Sequence, residues 1–383
     1  MKLFVVLVYG PPCSGKSAVV EYLMARHDGL FRISADRIKW FASGYGKGHY
    51  RDEVARVILD MAASALSQGF SLLVEANATI HNRMWPGYLA LAEQQEAAFH
   101  EIALEAPLQI LDARLEQRVR YSVARRKKIT LKDSADLRRR HEDYLAHKKP
   151  GIPIFDSSVF SVDEIAARIE AMVGLAPPVH QRPGPEQSIL SSVSRNQFIL
   201  LLYGPPCSGK SATVTCLMAR HKGLYRVSPD RVKWFVSGYG GGPFRKEVSR
   251  IVLDMATSAL GQGLSLVVEA NARILKKMWP EYQALAMRKG VAYFELNLEA
   301  PLDLLKARLA NRMARSLTSG QKHTLKDPED LERRYNAYLA HKKEGTRTLD
   351  SSALSLDEIA EQVERMVGLP RITPIDQLQK ELQ

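Results

Sequence analysis

The stretch YGPPCSGKSA occupies residues Tyr9–Ala18 and recurs, letter for letter, at Tyr203–Ala212. In both places it follows a short apolar run and precedes a segment with a helical spacing of apolar residues. Its central part fits the pattern G-x-x-x-x-G-K-S/T, in which glycines let successive backbone amides point inward at a phosphate, at the positive end of the next helix. The sequence therefore predicts two phosphate-binding loops.

The side chains of these loops have distinct predicted roles. Lys16 and Lys210 are long enough to reach the β and γ phosphates of a nucleotide, and the hydroxyls of Ser17 and Ser211 can hold Mg²⁺. We therefore expect each half of the chain to bind a nucleoside triphosphate, taken to be ATP, with Mg²⁺. The other predicted nucleotide-binding residues of the loops are Gly10, Cys13, Ser14 and Gly15 in the first copy and Gly204, Cys207, Ser208 and Gly209 in the second.

The loops belong to a duplication that takes in almost the whole chain. The shift that superposes Gly10 on Gly204 also aligns Asp36 with Asp230 and needs no gap between residues 4 and 175. A repeat of this length indicates duplicated domains rather than a short-period solenoid. The segment between the copies is rich in Pro, Ser and Gln, which is typical of an extended linker. The predicted organisation is domain 1 over 1–175, a linker over 176–197, domain 2 over 198–369 and a polar tail over 370–383.

Within each copy, short apolar runs alternate with helical patterns. Leu3–Val8 is an unbroken apolar run, as expected of a strand that is buried on both faces. The sequences SVDE from Ser161 and SLDE from Ser355 have the form of a helix capping box. The alternation predicts an α/β fold with two tandem P-loop NTPase domains, each a parallel sheet of about five strands covered by helices.

The composition limits the compartment and the partners. The chain carries 54 Lys and Arg against 42 Asp and Glu, a net charge of +12, which favours anionic partners such as nucleotides, phosphosugars or nucleic acid. A basic solvated surface is the alternative explanation of this charge. Three cysteines cannot build a disulfide framework, so a reduced, cytoplasmic location is expected. No apolar run approaches the roughly 18 residues of a membrane helix, and we expect no membrane partner.

Further motifs follow each loop at matching positions. In the first copy they are SADRIKW, VEAN and LEAPLQILDARLEQR. With these motifs nearly all of each repeat resembles the small P-loop kinases related to phage polynucleotide 5′-kinase, zeta toxins and chloramphenicol phosphotransferase. The phosphate loop alone is not diagnostic, but its combination with AP followed by paired arginines is much more specific. The resemblance implies kinase-type domains, each with a helical lid that closes over ATP.

The resemblance also implies a catalytic base. Asp36 in SADR and Asp230 in SPDR match the Asp that accepts the proton of the attacking hydroxyl in these kinases. A helix cap is the alternative role for both residues, because Asp is favoured at helix N-termini. The neighbouring Arg37 and Arg231 are candidates for binding an acidic part of the acceptor, with a surface salt bridge as the alternative.

Two polar residues end the third predicted strand of each copy. Glu75 and Glu269 stand where relatives more often carry Asp, and such a carboxylate can hold a Mg²⁺-bound water or the acceptor. The extra methylene of Glu changes the reach of the carboxylate, so the metal role of the Asp is not transferred. The resemblance makes Asn77 and Asn271 hydrogen-bonding residues of the acceptor site, and a turn role is the alternative.

Two arginines of each copy lie four residues apart on a predicted helix and so share one face. The resemblance implies that one guanidinium of such a pair stacks on the adenine while the other contacts the phosphates. Arg114 and Arg308 are the predicted nucleotide-binding members, and Arg118 and Arg312 are the predicted catalytic members. Solvated helix arginines are the alternative. The DSS turns that follow the last strands are predicted to line the adenine side.

The repeats differ after the arginine pair, in the predicted lid. The segment 118–128 contains six basic residues, whereas 312–322 contains three. The sequence predicts an ATP- and Mg²⁺-dependent kinase with two active modules and a small-molecule alcohol as acceptor. A polynucleotide 5′-hydroxyl kinase and a nucleotide-gated regulatory or binding protein are the alternatives. The two halves can share an acceptor, use different acceptors or be redundant, and the sequence leaves all three open.

Overall fold

The computed structural model describes most of both repeats. The predicted linker and the predicted tail lie outside the described residues, except for Gln197 and Pro370. The described residues are 2–45, 49–76, 78–124, 131, 133–175, 197–239, 244–269, 272–319, 325 and 327–370.

Strands and helices alternate along the described part of the first repeat. A short 3₁₀ turn, Lys39–Phe41, follows the second helix. The elements are β1 (Phe4–Tyr9), α1 (Lys16–Arg26), β2 (Leu30–Ser34), α2 (Ala35–Ile38), α3 (Arg51–Ser67), β3 (Ser71–Glu75), α4 (Ala78–Gln94), β4 (Ala98–Glu105), α5 (Leu108–Ala124), α6 (Ser134–His147), β5 (Ile154–Asp156) and α7 (Val162–Val173).

The second repeat has the same order of elements. Its 3₁₀ turn is Lys233–Phe235. The elements are β6 (Phe198–Tyr203), α8 (Lys210–Arg220), β7 (Leu224–Val227), α9 (Pro229–Val232), α10 (Arg245–Gly261), β8 (Ser265–Glu269), α11 (Ala272–Lys289), β9 (Ala292–Glu299), α12 (Leu302–Ser319), α13 (Pro328–Leu339), β10 (Thr348–Asp350) and α14 (Leu356–Val367).

Each repeat contributes one five-stranded parallel sheet. The strand order is β2-β3-β1-β4-β5 in the first sheet and β7-β8-β6-β9-β10 in the second. Because the first strand lies between the third and the fourth, the loop that follows it leaves the sheet beside the carboxyl end of the third strand. Ligands of open parallel sheets bind at such a point. The predicted fold class, two tandem P-loop NTPase sheets covered by helices, is confirmed.

The central strands are buried because helices pack on the sheets. All six residues of β1 are buried, which explains its unbroken apolar sequence. On one face of the first sheet, Val20 and Leu23 of α1 pack with Ile165 and Ile169 of α7. The second sheet has the equivalent cluster between α8 and α14. The packing of α7 on α1, and of α14 on α8, therefore fixes the position of the helix that follows each phosphate loop.

The helix ends agree with the sequence signals. Ser161 accepts a hydrogen bond from the backbone of Glu164, whose side chain in turn accepts from the backbone of Ser161, and Ser355 forms the same capping box with Glu358. Pro107 lies directly before the first residue of α5. Among the described residues, no helix has the length and apolar character to cross a membrane.

The chain forms two compact units, each of which takes residues from both repeats. Unit 1 contains the first sheet and comprises Met1–Ile38, Ala55–Ile189 and Arg231–Asp254. Unit 2 contains the second sheet and comprises Lys39–Val54, Leu190–Asp230 and Met255–Gln383. The phosphate loop, the third strand and the arginine-bearing helix of one repeat lie in the same unit in both cases.

Candidate functional site

The loop between β1 and α1 has a backbone that requires glycine at its first position. Gly10 has a φ of 144°, and a Cβ added there would lie 2.1 Å from the carbonyl oxygen of Leu104 on β4. Gly204 repeats both features, with a φ of 146° and the Leu298 oxygen at 2.1 Å. Only a residue without a side chain lets the loop pass this close to the neighbouring strand.

The remainder of the loop curls tightly before the helix begins. Gly15 and Gly209 adopt left-handed backbone angles, with φ of 92° and 97°, directly before α1 and α8. Cys13 and Cys207 also have positive φ, 65° and 64°, although neither is a glycine. Repetition of this uncommon angle in both loops indicates that the loop conformation imposes it.

The loop lysines fold back over their own loops. Lys16 Nζ donates hydrogen bonds to the carbonyl oxygens of Gly10 at 2.9 Å and Pro11 at 2.7 Å. Lys210 Nζ makes the same bonds to Gly204 at 2.9 Å and Pro205 at 2.6 Å. The ammonium groups are thereby held at the mouth of the loop, where the oxygens of a phosphate would replace these carbonyls.

The charge on each lysine depends on its surroundings. Burial lowers the pKa of Lys16 to about 8, and it lowers the pKa of Lys210 to about 8 as well. In the first site the charges of Glu75 and Asp36 oppose this lowering of the pKa, and the charge of Arg118 adds to it. Glu269, Asp230 and Arg312 have the same effects on the pKa of Lys210. Four predicted site residues of each repeat therefore lie within electrostatic reach of one another.

A serine and a glutamate meet at the centre of each site. Ser17 Oγ donates a hydrogen bond to Glu75 Oε2 at 2.9 Å, and Ser211 Oγ donates to Glu269 Oε1 at 2.8 Å. Hydroxyl and carboxylate oxygens are the ligand types that Mg²⁺ prefers, with the other positions filled by phosphate and water. The described residues contain no cluster of three His, Cys, Asp or Glu that could hold a metal alone. The serine and glutamate pair fits a magnesium ion that is shared with a nucleotide.

The structure adds an arginine that the sequence interpretation missed. Arg32 on β2 is only 4% exposed and forms an ion pair with Glu75 and a 2.9 Å contact with Glu21. Arg226 on β7 is equally buried and forms an ion pair with Glu269. Arginine is rarely buried without a charged partner. The available signal was a single arginine within the apolar strands LFRIS and LYRV of both copies.

The predicted base lies in the first turn of a short helix. Asp36 is the second residue of α2, directly after β2, and its side chain is exposed. Asp230 has the same place in α9 and is also exposed. The neighbouring Arg37 donates a hydrogen bond to Glu21 at 3.0 Å, so the salt bridge weighed as the alternative role of Arg37 is present. Arg231 is exposed at the equivalent position.

The first arginine of each helical pair is fixed by several hydrogen bonds. Arg114 donates to Ser157 Oγ at 2.8 Å, to the Ser157 carbonyl oxygen at 2.6 Å and to the Cys13 carbonyl oxygen at 3.3 Å. Arg308 makes the equivalent bonds to Ser351 and Cys207. These arginines tie the helix to the phosphate loop and to the DSS turn after the last strand.

The second arginine of each pair is exposed one helical turn later. Arg118 and Arg312 reach solvent on α5 and α12, and both influence the loop lysine of their own site. The other acceptor-side predictions, Asn77 and Asn271, lie outside the described residues. The predicted lids also fall largely outside them, because residues 125–130 and 320–324 are not described.

Comparison with known proteins identifies a family for both repeats. A family model described as an AAA domain matches residues 5–144 and 199–335, which together are more than half of the chain. The match to both repeats confirms the tandem duplication of a P-loop domain. A comparison with curated proteins gives no match.

Solved structures are similar to one repeat at a time. A tunicamycin resistance protein from Deinococcus radiodurans is 22% identical with a TM-score of 0.35, covering 46% of this chain and 99% of that chain. A putative kinase from Chloroflexus aurantiacus is 20% identical with a TM-score of 0.35, covering 45% and 98%. The APS kinase of Mycobacterium tuberculosis is 19% identical with a TM-score of 0.32, covering 45% and 98%.

Proposed function

Because the chain belongs to the AAA domain family, we propose that it is an ATP- and Mg²⁺-dependent phosphotransferase with two active kinase modules. Each module transfers the γ-phosphoryl group of ATP to a hydroxyl of a small-molecule acceptor. One observation carries the proposal: in both repeats the loop lysine lies in the electrostatic field of the third-strand glutamate, the aspartate after the second strand and the exposed helix arginine. A nucleotide-gated regulatory protein would need the phosphate loop but not the aspartate or the exposed arginine.

The nucleotide side of each site follows from the loop. Backbone amides at the start of α1 face the phosphates, and Lys16 exchanges its bonds to the loop carbonyls for bonds to phosphate oxygens. Ser17 and Glu75 would hold Mg²⁺, which supplies charge neutralisation for the phosphates. Arg32 keeps the Glu75 carboxylate in place. The corresponding residues of the second repeat do the same in its own site.

The acceptor side of each site needs a group that receives a proton. Asp36 orients the acceptor hydroxyl and takes its proton as the phosphoryl group is transferred. Arg118 stabilises the charge that builds up on the transferred oxygens, which a planar guanidinium does through several hydrogen bonds. Asp230 and Arg312 have these roles in the second site.

We propose the class of acceptor from the size of each repeat. Each repeat is near the minimum size for such a domain, which favours a small molecule. One observation supports the alternative, a polynucleotide 5′-hydroxyl: Trp40 and Trp234 are each 50% exposed, so core packing does not account for them. Exposed aromatic rings and a net charge of +12 suit stacked bases and a phosphate backbone.

A screen for phosphorylated product tests the proposed function. The full chain is incubated with ATP, Mg²⁺ and either mixed hydroxyl metabolites or 5′-hydroxyl oligonucleotides, and mass spectrometry detects addition of a phosphoryl group. Lys16→Ala and Lys210→Ala are the matched variants, because each disables one loop. We expect a product that one or both variants reduce. ATP hydrolysis without any phosphorylated product in either pool would contradict the proposal.

Nucleotide binding should weaken as the pH rises above about 8. Lys16 and Lys210 have a pKa lowered to about 8, so above that pH each becomes neutral and must take up a proton to pair with a phosphate. The affinity for a non-hydrolysable ATP analogue is expected to fall by up to about tenfold per pH unit in this range. Titration calorimetry between pH 7.5 and 9.5 measures it. In Lys16→Ala the remaining pH dependence should come from the second site, and a flat profile in the wild type would contradict the assignment.

A further inference from the structure

The first residue of β2 is hydrogen-bonded by a serine of the other repeat. Within unit 1, the Leu30 amide donates to Ser237 Oγ at 2.7 Å, and the Ser237 amide donates to the Leu30 carbonyl oxygen at 2.9 Å. All of these groups are buried. Residue 237 lies just after the 3₁₀ turn of the second repeat, so the edge of the first sheet is completed by a distant part of the chain.

Unit 2 contains the reciprocal arrangement. The Leu224 amide donates to Ser43 Oγ at 2.8 Å, and the Ser43 amide donates to the Leu224 carbonyl oxygen at 2.8 Å. Ser43 and Ser237 are equivalent in the duplication, as are Leu30 and Leu224. In both units the serine that bonds the first residue of the second strand comes from the other repeat.

Aromatic packing follows the same pattern. In unit 1, Phe31 of β2 contacts Phe235 edge-on with ring centroids 6.1 Å apart, and Phe70 contacts Phe244 at 5.2 Å. These four rings are buried. In unit 2, Tyr225 of β7 contacts Phe41 at 6.1 Å. Large buried rings contribute far more to stability than a surface contact does. Phe235, Phe244 and Phe41 therefore belong to the hydrophobic core of the unit that contains the sheet of the other repeat.

Close packing just after the 3₁₀ turn of the second repeat also explains the glycine at position 238. A Cβ at Gly238 would lie 2.0 Å from Oδ1 of Asp28, which belongs to the same unit. The φ of Gly238 is 70°, so any other residue would in addition be strained. A side chain at position 238 would therefore require the exposed Asp28 side chain to move.

We infer that the two repeats exchange the segment that follows their second strand. Residues 231–254 complete unit 1, and residues 39–54 complete unit 2, so each unit is built from both repeats. Exchange of an identical element between copies is a known route to a paired fold, and the tandem fusion keeps the two copies at high effective concentration. The partner that fits the edge of the second strand in one repeat is therefore the segment that follows the second strand in the other repeat.

Hydrogen exchange in the full chain distinguishes the two arrangements. Ser237→Ala removes the acceptor of the Leu30 amide, so amides of Leu30–Ser34 should exchange about tenfold faster or more, while Leu224–Val227 stay unchanged. Ser43→Ala should have the opposite pattern. Ser249→Ala is the matched control, because its hydroxyl bonds the Arg245 carbonyl of its own helix, and neither strand should respond. Faster exchange in Leu224–Val227 with Ser237→Ala, or no change at Leu30–Ser34, would overturn the inference.

A second measurement needs no substitution in the exchanged segments. A protease site is placed in the segment 176–196 of the full chain, and the cleaved protein is passed over a sizing column without denaturant. The exchange predicts that the two fragments elute together at the mass of the intact chain, because each fragment completes the core of the other sheet. Elution of two half-sized species would overturn the inference.

Discussion

Replacing Asp36 by Asn is expected to lower turnover at the first site by about 10² to 10⁴-fold while ATP still binds. The amide keeps the size of the side chain but cannot take the proton of the acceptor hydroxyl. Asp230→Asn should do the same at the second site, so each single variant retains the rate of the other module. The double variant should lose both. Steady-state rates and ATP affinities, measured with the acceptor found in the screen, test this.

The loss must come from the missing base rather than from a weakened helix. Asp303 is the matched control, since it is also an exposed aspartate in the first turn of a helix, α12. Asp303→Asn should leave turnover within about twofold, because Asp303 has no role in the proposed proton transfer and the loss of one surface charge has a small effect. If the Asp36→Asn and Asp230→Asn double variant formed product at the wild-type rate, neither aspartate would be the base.

Replacing Arg32 by Met is expected to destabilise unit 1 by about 3 to 5 kcal/mol, the usual range when one partner of a buried ion pair is removed. Glu75 is buried beside it and would lose the guanidinium as its partner. The free energy of unfolding, from urea denaturation, measures the effect. Combining Arg32→Met with Glu75→Gln removes the unpaired charge and should recover part of the loss.

Arg37 provides the comparison for this experiment. It bonds the same Glu21 as Arg32 does, but it is exposed, and Arg37→Met should change stability by less than about 1 kcal/mol. Equal unfolding free energies for Arg32→Met and Arg37→Met would show that the Arg32 pair with Glu75 does not hold the site together.

The fold was predictable because its signals are local. The apolar run of Leu3–Val8, the glycines of the loop and the capping box at Ser161 each depend on neighbouring residues. The structure bears out the strand and the capping box, with the strand shifted by one residue to Phe4–Tyr9. Alternating strands and helices restrict the topology to a parallel sheet.

The Arg32 pair was not predictable from such signals. It depends on the register of β2 against β3, in which Ser34 lies opposite Glu75 and Arg32 is two residues away on the same face. Residues on neighbouring strands meet only when that register is known, and a sequence pattern shows which face a residue takes but not its cross-strand partner. The serine that meets Glu75 comes from α1, which adds a second tertiary dependence.

The segment exchange was not predictable from the sequence, for a different reason. Ser43 and Ser237 are identical, and so are Leu30 and Leu224, so the sequence is compatible with pairing inside a repeat or across repeats. Only the path of the chain after the 3₁₀ turn distinguishes them. The roles of Asp36, Arg118 and their equivalents are predictions, because they depend on where the acceptor and the phosphates bind.

In the proposed reaction the γ-phosphoryl group of ATP moves to an acceptor hydroxyl. Incubating the full chain with γ-labelled ATP, Mg²⁺ and the acceptor from the screen, and separating acceptor from inorganic phosphate, measures this directly. We expect one labelled acceptor for each ADP formed, and loss of that label in the Lys16→Ala and Lys210→Ala double variant. Label found only in inorganic phosphate, with the acceptor unchanged, would contradict it.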